Sequence, residues 1–167
     1  MKKQVWVGDE KPDPEKIEPL ENREHFPKPK GGFWTSSLLG DASAWINWMT
    51  SEDWYNCSNP NAWLLTPEED LKIYEINTRV DLMEITTGRD EAEFGGISLH
   101  PSDGFHLRYG YNYVDFEKVF AEYDAIHLTE EGQYKTRHST PNLYGWDCET
   151  YLWDNWHFTD VEHMYEL

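Results

Sequence analysis

The chain has 167 residues, two cysteines and a formal net charge of −18. That length suits a single domain with its own core, and two cysteines exclude a disulfide framework. Residues 1–30 hold as many basic as acidic side chains, so the remainder carries the whole excess; such a surface repels nucleic acid and attracts basic proteins.

Aromatic residues make up 16% of the chain, enough for a core built from rings or a pocket faced with them. No apolar run approaches membrane-spanning length and no charged-then-apolar signal segment opens the chain, so a cytoplasmic protein is expected.

Gln4-Val5-Trp6-Val7-Gly8 reads as a first strand broken by its glycine. Residues 9–30 are charged and hold Pro12, Pro14, Pro19, Pro27 and Pro29, which exclude a regular helix or a central strand. A loop of that length tends to be a lid or a binding segment. Gly31-Gly32 then feeds a second strand, Phe33-Trp34-Thr35-Ser36-Ser37, ending in three hydroxyls. Ser43 is placed to cap a helix over 44–50, with Trp45, Trp48 and Met49 along one face.

Residues 56–61 are rich in turn formers. Ala62–Thr66 reads as a strand stopped by Pro67, and Leu71–Ile76 alternates as a half-buried strand does. Val80–Ile85 suits either a helical turn or a further strand. Within 86–112 six glycines and prolines mark turns, with a short strand expected over Gly96–Leu99. Tyr113–Tyr123 carries the strongest helical spacing. Asp124–Thr129 returns as a strand, and 130–143 reads as a polar loop. The sum is an α+β fold of one domain over 1–167, with two small sheets packed face to face.

The stretch Tyr144-Gly145-Trp146-Asp147-Cys148-Glu149-Thr150-Tyr151-Leu152-Trp153 joins a glycine turn to a β-prone run. In an extended chain Asp147 and Glu149 point to the same side, a carboxylate pair at a strand mouth. Cys148 lies between these acids, whose charge disfavours a thiolate. The histidines lack zinc-site spacing: His100 and His106 flank a five-residue turn, and His157 and His163 stand near the C-terminus. No metal site is expected. Bland roles exist for all of these residues: Trp34 in a core, Thr35–Ser37 as a strand end, the acids as solvated positions, and Arg137-His138 paired to a neighbouring acid.

The early strand ending at Gly8, the aromatic-then-hydroxyl strand Trp34-Thr35-Ser36-Ser37 and the late Asp147-x-Glu149, in that chain order, resemble the ADP-ribosyltransferase superfamily. The resemblance covers some 25 residues and implies a split pair of antiparallel sheets, with short flanking helices, around a NAD cleft. It implies that NAD is a substrate, that Glu149 stabilises an oxocarbenium-like ribose, and that Asp147 orients or deprotonates the acceptor. Ser36, with Thr35 or Ser37, would position the ribose and hold Glu149. Gly8 would let the ligand approach the backbone, and Trp34, Trp6 or Tyr74 would stack on the nicotinamide. Tyr144 and Trp146 would read a macromolecular target, protein or nucleic acid, and a basic antitoxin or chaperone could restrain the enzyme. The first strand departs from that family, which carries Arg or His there; Arg23 and His25 in the following loop do not match its position.

The chain also resembles uncharacterised bacterial and phage proteins sharing a Gly-Gly-aromatic-Trp-Thr-Ser segment, a Tyr-Asp-small-Ile strand and a Tyr-Gly-Trp-Asp turn. A different class of function, a non-catalytic acidic interaction protein such as a phage inhibitor or nucleic-acid mimic, fits the charge alone.

Overall fold

A computed structural model describes residues 1–23, 26–55, 57–86, 114–139 and 141–167. Its strands are β1 (Gln4–Gly8), β2 (Phe33–Leu39), β3 (Ala42–Ser43), β4 (Asn61–Pro67), β5 (Ile73–Ile76), β6 (Ala125–Leu128), β7 (Thr150–Trp153) and β8 (Phe158–Glu166). The helices are α1 (Ala44–Ser51), α2 (Arg79–Glu84), α3 (Phe116–Phe120) and α4 (Glu130–Thr136). The fold is α+β, with one mixed sheet in the order β5-β6-β7-β2-β1-β4-β8 and β3 on β2.

That single strand path replaces the two stacked antiparallel sheets expected from the sequence, and β5 and β6 run parallel. The reason lies in β2. Its first three residues pair β7 (Phe33↔Trp153 to Thr35↔Tyr151), while Ser36 and Ser37 pair β1 through Val5 and Gln4. One strand thus joins β1, β4 and β8 to β5, β6 and β7. From Trp6 and Thr35 onward β1 and β2 no longer pair, so the sheet parts there.

Alternation divides the apolar residues between two faces. On one face Ile76, Ile126, Leu128 and Leu152 pack under Leu82, Phe116 and Val119 of α2 and α3. Farther along that face Val5, Val7 and Ala62 meet Ile46 and Met49 of α1. The opposite face gathers Phe33, Leu65, Tyr151, Trp153 and Phe158, with Trp6 and Trp156 around them.

The local signals explain most of the helices. Ser43 Oγ accepts from the Ile46 N–H to open α1, as the sequence predicts. Thr78 and Asp81 form a reciprocal capping box, which decides helix over strand for Val80–Ile85. The helix predicted over Tyr113–Tyr123 contracts to α3, because Val114 pairs with Thr86 and Asp115 caps the first turn. The turns and strand expected across 87–112, with His100 and His106, lie outside the described residues.

The predicted loop 130–143 contains α4. Thr129 caps it, Glu130 and Glu131 occupy its first turn and Lys135 its last, a charge order that favours a helix despite an internal glycine. The C-terminal strand β8 has no counterpart in the sequence reading. It pairs along β4 and shows Glu, His and Asp side chains to solvent, so apolar alternation is weak.

The Pro-rich segment 9–30 is held to the body. The Asn22 side-chain amide donates to Asp115 and its carbonyl accepts from the Phe116 N–H, while Glu21 and Lys30 form an antiparallel bridge. The Trp146 indole N–H donates to the Pro27 carbonyl at 2.9 Å, fixing the segment's far end.

Gly132 is where α4 meets β5: a Cβ there would lie 1.9 Å from the Ile76 carbonyl oxygen. An alanine in mid-helix ordinarily gains about 1 kcal/mol over glycine. Gly132→Ala is expected to reverse that sign and destabilise by about 1–3 kcal/mol through overpacking. Urea unfolding measures it, and an unchanged midpoint would mean α4 shifts freely off β5.

Candidate active site

The three hydroxyls of β2 do different work, Thr35 and Ser37 on one face and Ser36 on the other. Thr35 Oγ1 donates to Gln4 Oε1 at 2.9 Å and accepts from the Trp153 indole N–H at 2.8 Å. It is buried, with its donor and one acceptor site engaged. Ser36 faces the other way, and its Oγ accepts from the Trp45 N–H at the start of α1. Only Ser37 meets the late acid: its Oγ donates to Glu149 Oε1 at 2.7 Å and its N–H to Oε2 at 3.0 Å. The expectation that a hydroxyl strand would hold Glu149 is met by Ser37, not by Ser36.

His127 completes the carboxylate's surroundings, and the sequence reading passed over it. Its Nε2 lies 2.9 Å from Glu149 Oε1 and its Nδ1 lies 3.2 Å from Glu75 Oε1. The imidazole stacks on the Tyr151 ring with centroids 3.9 Å apart. Register brings these groups together: His127 opposes Tyr151 across β6 and β7, and Glu75 neighbours His127 across β5 and β6. The only trace in the sequence is that His127 shares the parity of Ala125 on a predicted strand.

Glu149 is 9% exposed. Burial alone would raise its carboxyl pKa, but the hydrogen bonds from His127 and Ser37 outweigh it and hold the group below its ordinary value. Tyr151 is pushed up to about 12 by burial and by the Glu149 charge. Cys148 also rises to about 12, from burial first and then from Glu149 and Asp147, so it stays a thiol at neutral pH.

Where β1 and β2 part, a cleft of about 420 Å³ opens. Trp34, Trp45, Trp54 and Trp146 line it, with Arg23, Lys28 and Asp147 as its charged groups. Trp34 and Trp146 meet edge to face at 4.7 Å, and Trp45 and Trp54 do so at 5.9 Å. The size lies within the range of ligand sites, roughly 300–1,000 Å³.

Several expected placements change. Asp147 and Glu149 do not share a side, because the chain bends at Cys148–Glu149 before β7 begins. Asp147 borders the cleft and lies 3.8 Å from Arg137, whereas Glu149 turns to Ser37; its neighbours Cys148 and Thr150 reach the cleft. The space above Gly8 is filled by the chain's own Trp6 indole, so a ligand does not take it. Trp6 keeps a place on the cleft wall, and its ring stacks on Phe33 at 6.0 Å.

Tyr74 packs among the helices, its hydroxyl donating to the Asp81 carbonyl, away from the cleft. Trp146 is buried, stacked on Phe116, and so forms the cleft wall from within the core. Tyr144 is exposed as expected, under the Arg137 guanidinium at 5.5 Å.

Comparison with protein-family models, curated proteins and solved structures finds no match to this chain. The site is therefore read from its own geometry.

A carboxyl whose pKa is depressed on folding contributes stability above its unfolded pKa, and that contribution is lost as pH falls through the folded value. Glu149 is expected to steepen acid unfolding below the ordinary glutamate value of 4.5, and Glu149→Gln to flatten it. Ser37→Ala removes a hydrogen bond to a buried charge and is expected to cost about 1.5–3 kcal/mol at neutral pH. Urea midpoints across a pH series check both; parallel pH profiles for wild type and Glu149→Gln would contradict the assignment.

Proposed function

We propose that the chain is a NAD-dependent ADP-ribosyltransferase acting on a macromolecular acceptor, with Glu149 as its central carboxylate. The observation that carries this reading is the Ser37–Glu149 contact, 2.7 Å between residues 112 apart in the chain. It joins the hydroxyl strand to the late acid, through Ser37 where the resemblance implies Ser36. Supporting it, Glu149 immediately precedes β7, β7 pairs with the β2 strand that carries Ser37, and β1 lies on the other side of β2.

The chemistry suits the site. When the bond between the nicotinamide nitrogen and ribose C1′ breaks, the electron pair leaves with nicotinamide and positive charge builds on the ribose. A carboxylate kept ionised by three hydrogen bonds stabilises that charge without reorganising. The acceptor then bonds to C1′ and gives up its proton. The resemblance gives Asp147 the acceptor's proton; it lies on the cleft wall, on the other side of the chain from Glu149. The exposed Tyr144 and the half-buried Arg137 form a pair beside Asp147, suited to touching the acceptor. The net charge of −18 favours a basic protein as acceptor or as restraining partner.

A second reading, a non-catalytic acidic interaction protein, is favoured by the near-complete enclosure of Glu149. There the Glu75–His127–Glu149–Ser37 chain serves as a strut between β5 and β2.

Incubation with labelled NAD and a cell lysate separates the two. The transferase reading expects nicotinamide release, with label entering protein or nucleic acid. Glu149→Gln is expected to reduce release about a hundredfold or more in protein that still melts cooperatively. No cleavage by wild type, or undiminished cleavage by Glu149→Gln, overturns it. Partner capture that weakens with salt, and is indifferent to Glu149→Gln, supports the second reading.

A further inference from the structure

The cleft holds a cation that forms no ion pair among the described residues. Lys28 is half-buried, and among the described residues no carboxylate lies within 4.0 Å of its Nζ. The ammonium instead sits over the Trp34 ring, 5.4 Å from its centroid. Its neighbour Lys30 is exposed and pairs with Glu21 at 3.5 Å, as expected where acids outnumber bases. Arg23 borders the same cleft, stacked on Phe26 at 4.2 Å. Asp147, the one carboxylate lining this cleft among the described residues, lies 3.8 Å from a different cation, Arg137.

Leaving an ammonium half-buried and without an anion costs free energy, and a chain of net charge −18 has many acids with which to avoid that cost. Burial pushes the Lys28 pKa below the ordinary lysine value, with Asp147 pulling it the other way. The segment carrying Lys28 is anchored by the Trp146–Pro27 hydrogen bond on one side and by the buried Pro29 on the other. The cation is therefore held in place by the fold.

We propose that Lys28, with Arg23 lining the same cleft, forms its phosphate-binding end, and that a nucleotide's base stacks on the tryptophan wall at the other. This rests on the nucleotide-using reading above and adds to it. Lys28 and Arg23 supply from the Pro-rich segment the positive charge that the first strand, Trp6-Val7-Gly8, lacks. Indole rings offer a face to any base, and the cations select for the phosphates.

Calorimetry or tryptophan fluorescence with the full chain tests it, using ADP, adenosine and inorganic pyrophosphate as probes. ADP is expected to bind more tightly than either fragment. Lys28→Met is expected to weaken ADP by about ten- to a hundredfold and leave adenosine unchanged. Lys28→Arg should keep most of the affinity, and Lys30→Met, the control, should keep all of it. ADP affinity unchanged in Lys28→Met, or wild type indifferent to ADP, overturns the proposal. A wild type that binds ADP through Lys28 but never cleaves NAD overturns the transferase reading alone. NAD cleavage with the same KM in Lys28→Met overturns this inference alone.

Discussion

Strand β2 changes partners halfway along its length, and the rest of the structure follows from that exchange. Phe33 to Thr35 hydrogen-bond β7, whereas Ser36 and Ser37 hydrogen-bond β1. A strand at such a crossing is buried on both faces and has no room for bulky side chains everywhere. Three consecutive small hydroxyl residues meet this need, although serine is a poor strand former. Each is buried and each finds a partner: Gln4 and Trp153 for Thr35, the Trp45 N–H for Ser36, and Glu149 for Ser37. The hydroxyls tie together both halves of the sheet, the first helix and the late acid, and a buried hydroxyl left unpaired would cost more than any one of these bonds gains.

The same exchange sets the two features that bear on function. Pairing with β7 places Glu149 at Ser37, on the face where His127 and Glu75 line up across neighbouring strands. Parting from β1 opens the tryptophan-lined cleft, whose charged rim comes from the Pro-rich segment and from Asp147. Carboxylate and cleft sit on either side of the chain at Cys148–Thr150. Their electrostatics differ: an ionised acid satisfied by hydrogen bonds on one side, and on the other a half-buried ammonium that forms no ion pair among the described residues.

Much of the fold was legible because it is written in local patterns. The strands at Gln4–Gly8, Phe33–Ser37, Ala62–Thr66 and Ala125–Leu128 announce themselves by β-rich runs between turn residues, and α1 by its serine cap. Helix α4 was not legible as a helix, since its polar composition and Gly132 resemble a loop and its buried positions are Gly132 and Thr136, not an apolar stripe. Strand β8 was hidden for a related reason: as an edge strand it hydrogen-bonds β4 along one edge and carries charged side chains along most of its length. Trp146 misled in the opposite direction, sitting beside an exposed turn in sequence and in the core in space.

Residue types and their spacing establish strands, caps, the α+β class and an acid that could meet a hydroxyl strand. Which hydroxyl meets it, that a histidine joins them, and that Asp147 and Glu149 part company belong to the folded chain. The physical reason is that side-chain alternation tells direction only while a strand stays regular, and the bend at Cys148–Glu149 breaks it. Cross-strand neighbours such as Ser37 and Glu149, 112 residues apart, are chosen by register. Register follows from the packing of both sheet faces at once, and no short window of sequence contains that information.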